Sequence, residues 1–234
     1  MPISQEEFTD AYPTIFHISL AQDMGQIMRH GLLSTSALLD RCEVIGEQRF
    51  NIESRLRSHS VRISHSVHGE FLINDQAPMN ASALSKCLTD ISPEQWCRFL
   101  NRRVFFWPTQ DRLAKHLGAR LAAGRPKIVL SFETRSIFDV LDFDSFEFSA
   151  INSGNTMRRA ALRGSSTFLK ASDYPFQEQR KRRGVDNAIA EVTYPYAVPS
   201  SQLAAICMTS KIVSHPPPAQ MVAGYSELNT KEIK

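Results

Sequence analysis

Short apolar runs alternate with amphipathic stretches along the chain, and the changes of period divide it into many small elements. Ser4 and Glu7 form an S-x-x-E pattern that predicts a helix from Gln5 to Ala11. Thr14-Ile15-Phe16 opens an extended run that delivers His17 and Ser19, which leave the same face of a strand at their spacing of two. Leu20, Met24, Ile27 and Met28 then recur at helical spacing, and Gly31 stands where a helix ends in glycine. Leu32 and Leu33 lead to Ser34, a cap for a helix through Asp40. The stretch Glu47 to Leu56 has a helical pattern and carries Arg49, Arg55 and, just past its end, Arg57. Alternation predicts short strands over Ser60–Ser64 and Glu70–Ile73. Asn80 starts a helix to Leu88, and Ser92-Pro93 with Gln95 starts another to Leu100.

In the second half, Val104-Phe105-Phe106-Trp107 is a dense β-forming run ended by Pro108. Thr109 caps a helix whose Leu113, Leu117 and Leu121 recur every four residues, closed by Gly124. Lys127–Phe132 and Phe146–Ile151 read as strands, the second ended by the turn Asn152-Ser153-Gly154-Asn155. A long irregular stretch to Asn187 holds the basic run Arg180-Lys181-Arg182-Arg183, read as a loop. Ala188–Tyr194 and Leu203–Met208 complete the predicted strands. The mixture lacks a βαβ rhythm, which indicates an α+β fold in a single domain over residues 1–210, with 211–234 as an extended or disordered tail carrying Pro216-Pro217-Pro218.

Composition narrows the chemistry only a little. With 42% hydrophobic and 22% charged residues the body is expected to be globular. The balance of 27 basic against 24 acidic residues gives a net charge of +3, so any nucleic-acid contact must come from local clustering. Cys42, Cys87, Cys97 and Cys207 show no CxxC pair and no metal-ligand spacing, so buried reduced thiols are expected and a metal is not. The opening MPISQEEFTDAY does not resemble a secretory signal, and no apolar run approaches the roughly 20 residues of a membrane span. A soluble, cytoplasmic protein without a membrane partner is expected. The nucleotide-binding patterns GxGxxG and GxxxxGK[ST] are absent.

One ordered set of motifs points further. FHIS precedes QIMRHGLLS, then come an arginine-bearing helix, VFFWP, the turn INSGNT, and a basic segment that runs into AIAEVTYPYAVP. In this order, from about Tyr12 to Met208, the chain resembles the DarT-like branch of the ADP-ribosyltransferase superfamily, or an uncharacterised neighbouring family. Its best-known members use NAD to modify DNA bases. The resemblance implies an ADP-ribosyltransferase-like split of two small β-sheets with flanking helices. It also implies a role for NAD as co-substrate and for Glu191 as the catalytic glutamate. His17 and Ser19 would hold the nicotinamide half, with His17 next to the reacting sugar and Gly31 ending the neighbouring helix at the cofactor site. Arg55 or Arg57 would pair with the pyrophosphate, and Phe105 or Phe106 would stack on nicotinamide.

A carboxylate suits that chemistry because breaking the nicotinamide–ribose bond develops positive charge on the sugar, as in glycoside hydrolysis. Arg158, Arg159, Arg163, Arg180, Lys181, Arg182 and Arg183 are the candidate contacts to a nucleic acid acceptor, DNA or RNA. Members of this branch that act as toxins imply an antitoxin partner. The chain departs from the pattern in places: Ser19 stands for threonine, VFFWPTQDR lacks the usual asparagine and serine-proline, and NSGN replaces an aspartate-containing turn. Those changes leave open a protein acceptor, RNA 2′-phosphotransferase chemistry, or an inactive module that only binds nucleic acid or a partner protein.

Overall fold

The computed structural model describes residues 2–76, 79–121, 125–157, 160–206, 208–214 and 230–232. Its strands are β1 (Thr14–Leu20), β2 (Leu32–Leu33), β3 (Val61–His65), β4 (Gly69–Ile73), β5 (Arg103–Phe106) and β6 (Lys127–Glu133). They continue with β7 (Glu147–Ser149), β8 (Leu169–Lys170), β9 (Glu191–Pro195), β10 (Ala197–Val198), β11 (Met208–Val213) and β12 (Thr230–Glu232). Among the described residues these form two four-stranded sheets, ordered β1-β6-β11-β12 and β5-β9-β7-β8, and two ribbons, β3-β4 and β2-β10. Every pairing between these strands is antiparallel. The protein is a mixed α+β fold of several small sheets with helices around them.

Alternation along the strands decides what lies between the sheets. In β6, Ile128, Leu130 and Phe132 enter the main core, while Val129 turns the other way. Leu113 and Leu117 of the helix Gln110–Leu121 cover that second face with Phe16, Trp107 and Val213. The main core is rich in phenylalanine: Phe8, Phe106, Phe132, Phe146, Phe148 and Phe176 are each at most 1% exposed. Neighbouring rings meet edge-on or tilted, as with Phe106 on Phe132 at 5.8 Å.

Local caps follow the sequence closely. Ser34, Asn80 and Ser92 each accept from the backbone N–H three positions on, and Ser92 with Gln95 completes both halves of its capping box. At Ser4 only half the box forms, because the Glu7 carboxylate turns to Gln177 and Arg180 instead.

Several expected elements differ. The apolar run Leu203–Met208 is not a strand: Ser200–Leu203 is a helical turn whose Leu203 fills the core, and β11 begins only at Met208. A short apolar run has no period long enough to tell these apart. Because β11 continues to Val213 and β12 pairs with it, the domain boundary expected at 210 falls inside a strand. The stretch before Asn187 is irregular up to Phe168 among the described residues, but not beyond. It holds β8 and the helices Phe176–Arg183 and Val185–Ala188, so the basic run lies on a helix and the following strand starts at Glu191 rather than Ala188. Cys42, Cys87 and Cys97 are buried free thiols; Cys207, Gly124 and Pro216–Pro218 lie outside the described residues.

Candidate active site

The two sheets meet at one seam. β5 ends at Phe106, and the next residue leaves its sheet to bond with β1: Phe16 N–H donates to Trp107 O at 2.9 Å and Trp107 N–H to Phe16 O at 2.8 Å. Pro108, with no N–H, ends the run. The crossing sets residues that follow Phe16 beside those that precede Trp107. His17 Nδ1 lies 2.9 Å from Phe105 O. Within the second sheet Phe105 pairs with Thr193 and Phe106 with Val192, the residue next to Glu191. A cavity of about 480 Å³ opens at this seam, lined by His17, Ser19, Arg57, Phe105 and Glu191 among others. That size lies within the ordinary range of ligand sites.

Glu191 is the first residue of β9 and is 5% exposed. Its neighbours Ala190 and Val192 are also buried, and Ala190 N–H donates to Ser149 O at 2.7 Å, which fixes the strand's entry. Both carboxylate oxygens of Glu191 accept from the backbone N–H of Ser153, at 3.1 Å each. Burial pushes its pKa up to about 7, against the pull of Ser153 and of the Arg163 and Arg112 charges. A carboxyl poised there exchanges a proton near neutral pH, as a general base requires.

His17 leaves β1 on the face of Ile15 and Ser19. A carbonyl can only accept, so His17 Nδ1 carries the proton toward Phe105 O. Burial lowers its pKa, and the neutral ring then presents Nε2 as an acceptor. Ser19 Oγ donates to Asp23 Oδ2 at 3.3 Å, and burial raises the Asp23 pKa. Arg57 is 9% exposed; its guanidinium donates to Ile52 O, Asn74 O and Asn101 Oδ1 and is thereby fixed in the wall. Phe105 is half-buried and packs edge-on against Phe168.

Comparison with protein families matches residues 13–204 to one described as a family of unknown function, DUF7002. The chain belongs to that family. No curated protein and no solved structure matches it. In this DUF7002 member the match runs from the residue before β1 to the helical turn before β11, and so spans every residue that lines the cavity.

Other residues expected at the site lie elsewhere. Arg55 falls beyond the helix Gly46–Glu53, is exposed, and stacks over Phe50 at 5.2 Å, so of the two arginines Arg57 is the one at the cavity. Phe106 turns into the main core and leaves Phe105, beside Trp107, in the aromatic wall. Gly31 ends the helix Met24–His30 with φ +85° and packs against the backbone of Val198 and Pro199, away from the cavity. Arg163 is only 3% exposed and bonds to backbone carbonyls, which corrects its expected role as a surface contact. Arg180, Lys181 and Arg182 are exposed on their helix, whereas Arg183 is half-buried with its guanidinium on Ala150 O. Arg158 and Arg159 lie outside the described residues.

The DUF7002 cavity also holds groups that the sequence did not single out. Asp23, Asn101, Arg103, Lys115 and His116 line it. Arg103 precedes Phe105 by two, so strand periodicity offered a signal for that residue. It is held by Glu147 at 2.7 Å and lies over the Phe99 ring at 3.7 Å. The Ser153 N–H is a backbone donor, and no residue type announces it. Asn152 and Asn155 shape the turn as their type suggests, accepting from Gly154 N–H and Met157 N–H. No helix among the described residues is long and apolar enough to cross a membrane. No group of three or more His, Cys, Asp or Glu among them is arranged to hold a metal ion.

Proposed function

We propose that this protein is an NAD-dependent ADP-ribosyltransferase that attaches ADP-ribose to a nucleic acid base. The observation that carries the reading is the buried Glu191 carboxyl, held by Ser153 N–H, in one cavity with His17, Phe105 and Arg57. That combination suits the dinucleotide: an aromatic face for a planar ring, a guanidinium for a pyrophosphate, and an acceptor nitrogen for a sugar hydroxyl. NAD, when bound, supplies the N-glycosidic bond whose cleavage leaves positive charge on its ribose. Glu191 as carboxylate stabilises that charge and takes the proton of the attacking base. His17 Nε2 accepts from the sugar, with its tautomer set by Phe105 O. Phe105 supports the nicotinamide ring, and Arg57 holds the phosphates.

Incubation with labelled NAD and total DNA, RNA and protein tests the activity. Label is expected on nucleic acid with the native chain and on no fraction with Glu191→Ala. Label on protein instead would change the acceptor, and silence in every fraction with the native chain would remove the proposal. The choice of arginine is checked separately by calorimetry: Arg57→Lys is expected to weaken NAD binding about tenfold or more, while Arg55→Ala leaves it unchanged.

The exposed Arg180, Lys181 and Arg182 supply the charge for an acceptor's phosphates. Replacing the three with glutamine is expected to weaken binding of nucleic acid at low salt. The slope of log affinity against log salt should fall by roughly one for each phosphate that is no longer neutralised. An unchanged slope would place the acceptor on another surface.

A further inference from the structure

Arg163 is a buried cation that the proposed chemistry leaves unused. Its guanidinium donates to three backbone carbonyls: Nη1 to Ser153 O at 2.6 Å, Nη2 to Asn155 O at 2.7 Å and Nε to Ala161 O at 3.1 Å. Two of those carbonyls belong to the turn that lines the cavity, and Ser153 is the residue whose N–H meets both oxygens of Glu191. The backbone of Arg163 is pinned as well. Its N–H donates to Cys87 O at 2.8 Å, and its carbonyl accepts Thr89 N–H at 3.0 Å and Thr89 Oγ at 3.1 Å. The next residues are tied to the same segment, with Ser165 N–H on Asp90 Oδ1 at 3.0 Å.

We infer that Arg163 is a positioning residue, which holds the Asn152–Asn155 turn so that Ser153 N–H stays on the Glu191 carboxyl. A planar guanidinium can reach several carbonyls at once because its donors are fixed in a fork; a lysine ammonium, a compact point charge on a flexible stem, cannot reproduce that reach. The same charge favours ionised Glu191 from behind the turn, and the N–H it orients favours ionised Glu191 from the front. Loss of Arg163 removes both influences together, so Glu191 takes up its proton at higher pH. Its effect on turnover rests on the transferase reading; its effect on the carboxyl does not.

Other charges also bear on the carboxyl. Arg112 of the helix Gln110–Leu121 acts on Glu191 directly, and His17, Asp23, Arg57, Asp75, Arg103, Lys115 and His116 line the same cavity. All eight are kept in each variant below, so a difference between variants reports on position 163.

The test is a carboxyl-carbon NMR titration of Glu191 in the native chain, Arg163→Lys and Arg163→Met, with Glu191→Gln to assign the signal. Arg163→Met is expected to raise the titration midpoint by on the order of one pH unit. Arg163→Lys, which keeps the charge and loses the fork, is expected to give a smaller rise and faster hydrogen exchange at Ser153 N–H. A folded Arg163→Met chain with the native midpoint would overturn the inference. If Arg163→Met does not fold, Arg163→Lys decides: native exchange at Ser153 with a native midpoint would overturn it equally. The pH limb of NAD consumption should move with the midpoint. Absence of any NAD consumption by the native chain would remove the transferase reading and leave the titration to judge Arg163.

Discussion

Glu191→Gln is expected to abolish ADP-ribose transfer, by about 10²–10⁴-fold or more, and at the same time to raise the melting temperature at pH 8. The second half follows from burial. A glutamate in the unfolded chain ionises near 4.5, whereas burial holds Glu191 at about 7 in the folded protein. Between those values the folded state binds the extra proton, so stability falls as pH rises, and the full cost is present above about 7. The difference amounts to roughly 3 kcal/mol at most. Glutamine carries no charge to desolvate, and its carbonyl oxygen can still accept from Ser153 N–H. Thermal unfolding of both chains across pH 4 to 8 checks this: the curves should converge at the acid end and part toward the alkaline end. A difference between the two chains that stays constant over that range would show that Glu191 titrates in the folded protein as it does in the unfolded chain. For the same reason, NAD consumption by the native chain should fall as pH drops through about 7, where the carboxyl takes up its proton.

The second large effect is expected at Gly31, through folding alone. Its φ of +85° is a conformation that side chains resist, and a methyl group there would stand 2.0 Å from Val198 O and 2.7 Å from Ser200 N. Those are backbone atoms of the β10 ribbon strand and the turn that follows it, which cannot swing aside as a side chain would. Gly31→Ala should lose roughly 3 kcal/mol or more in urea unfolding, or fail to accumulate as folded protein. What remains folded is expected to bind NAD as the native chain does, because Gly31 does not line the cavity. A stable Gly31→Ala chain with weakened NAD binding would return the glycine to the cofactor site.

What the sequence could say about the site depended on whether a residue's role lies in its side chain's place on an element. His17 and Ser19 share a strand face by spacing alone, and the order of motifs marked Glu191; all three reach one cavity. Arg55 and Arg57 were indistinguishable because the helix pattern runs past Glu53, where the helix ends. Arg163 looked like one more basic residue in a basic segment. That its guanidinium turns inward to carbonyls ten and eight positions back is a long-range fact, without local signature. Asp23 was passed over for a related reason. It follows Ser19 by four residues across a change from strand to helical turn, where neither period applies. The apolar run at Leu203 shows the same limit for the fold: the need to fill a core is legible, while the backbone form that fills it is not.

The seam at Phe16 and Trp107 is built from main-chain donors and acceptors, and the His17 contact beside it also ends on a carbonyl. The place of the imidazole against the second sheet is thus set by peptide groups that every residue but proline carries. Substitutions among side chains that only line the cavity can change which molecules are admitted without moving the imidazole. Members of the family with different linings are expected to differ in what the cavity admits while keeping that crossing of the two sheets.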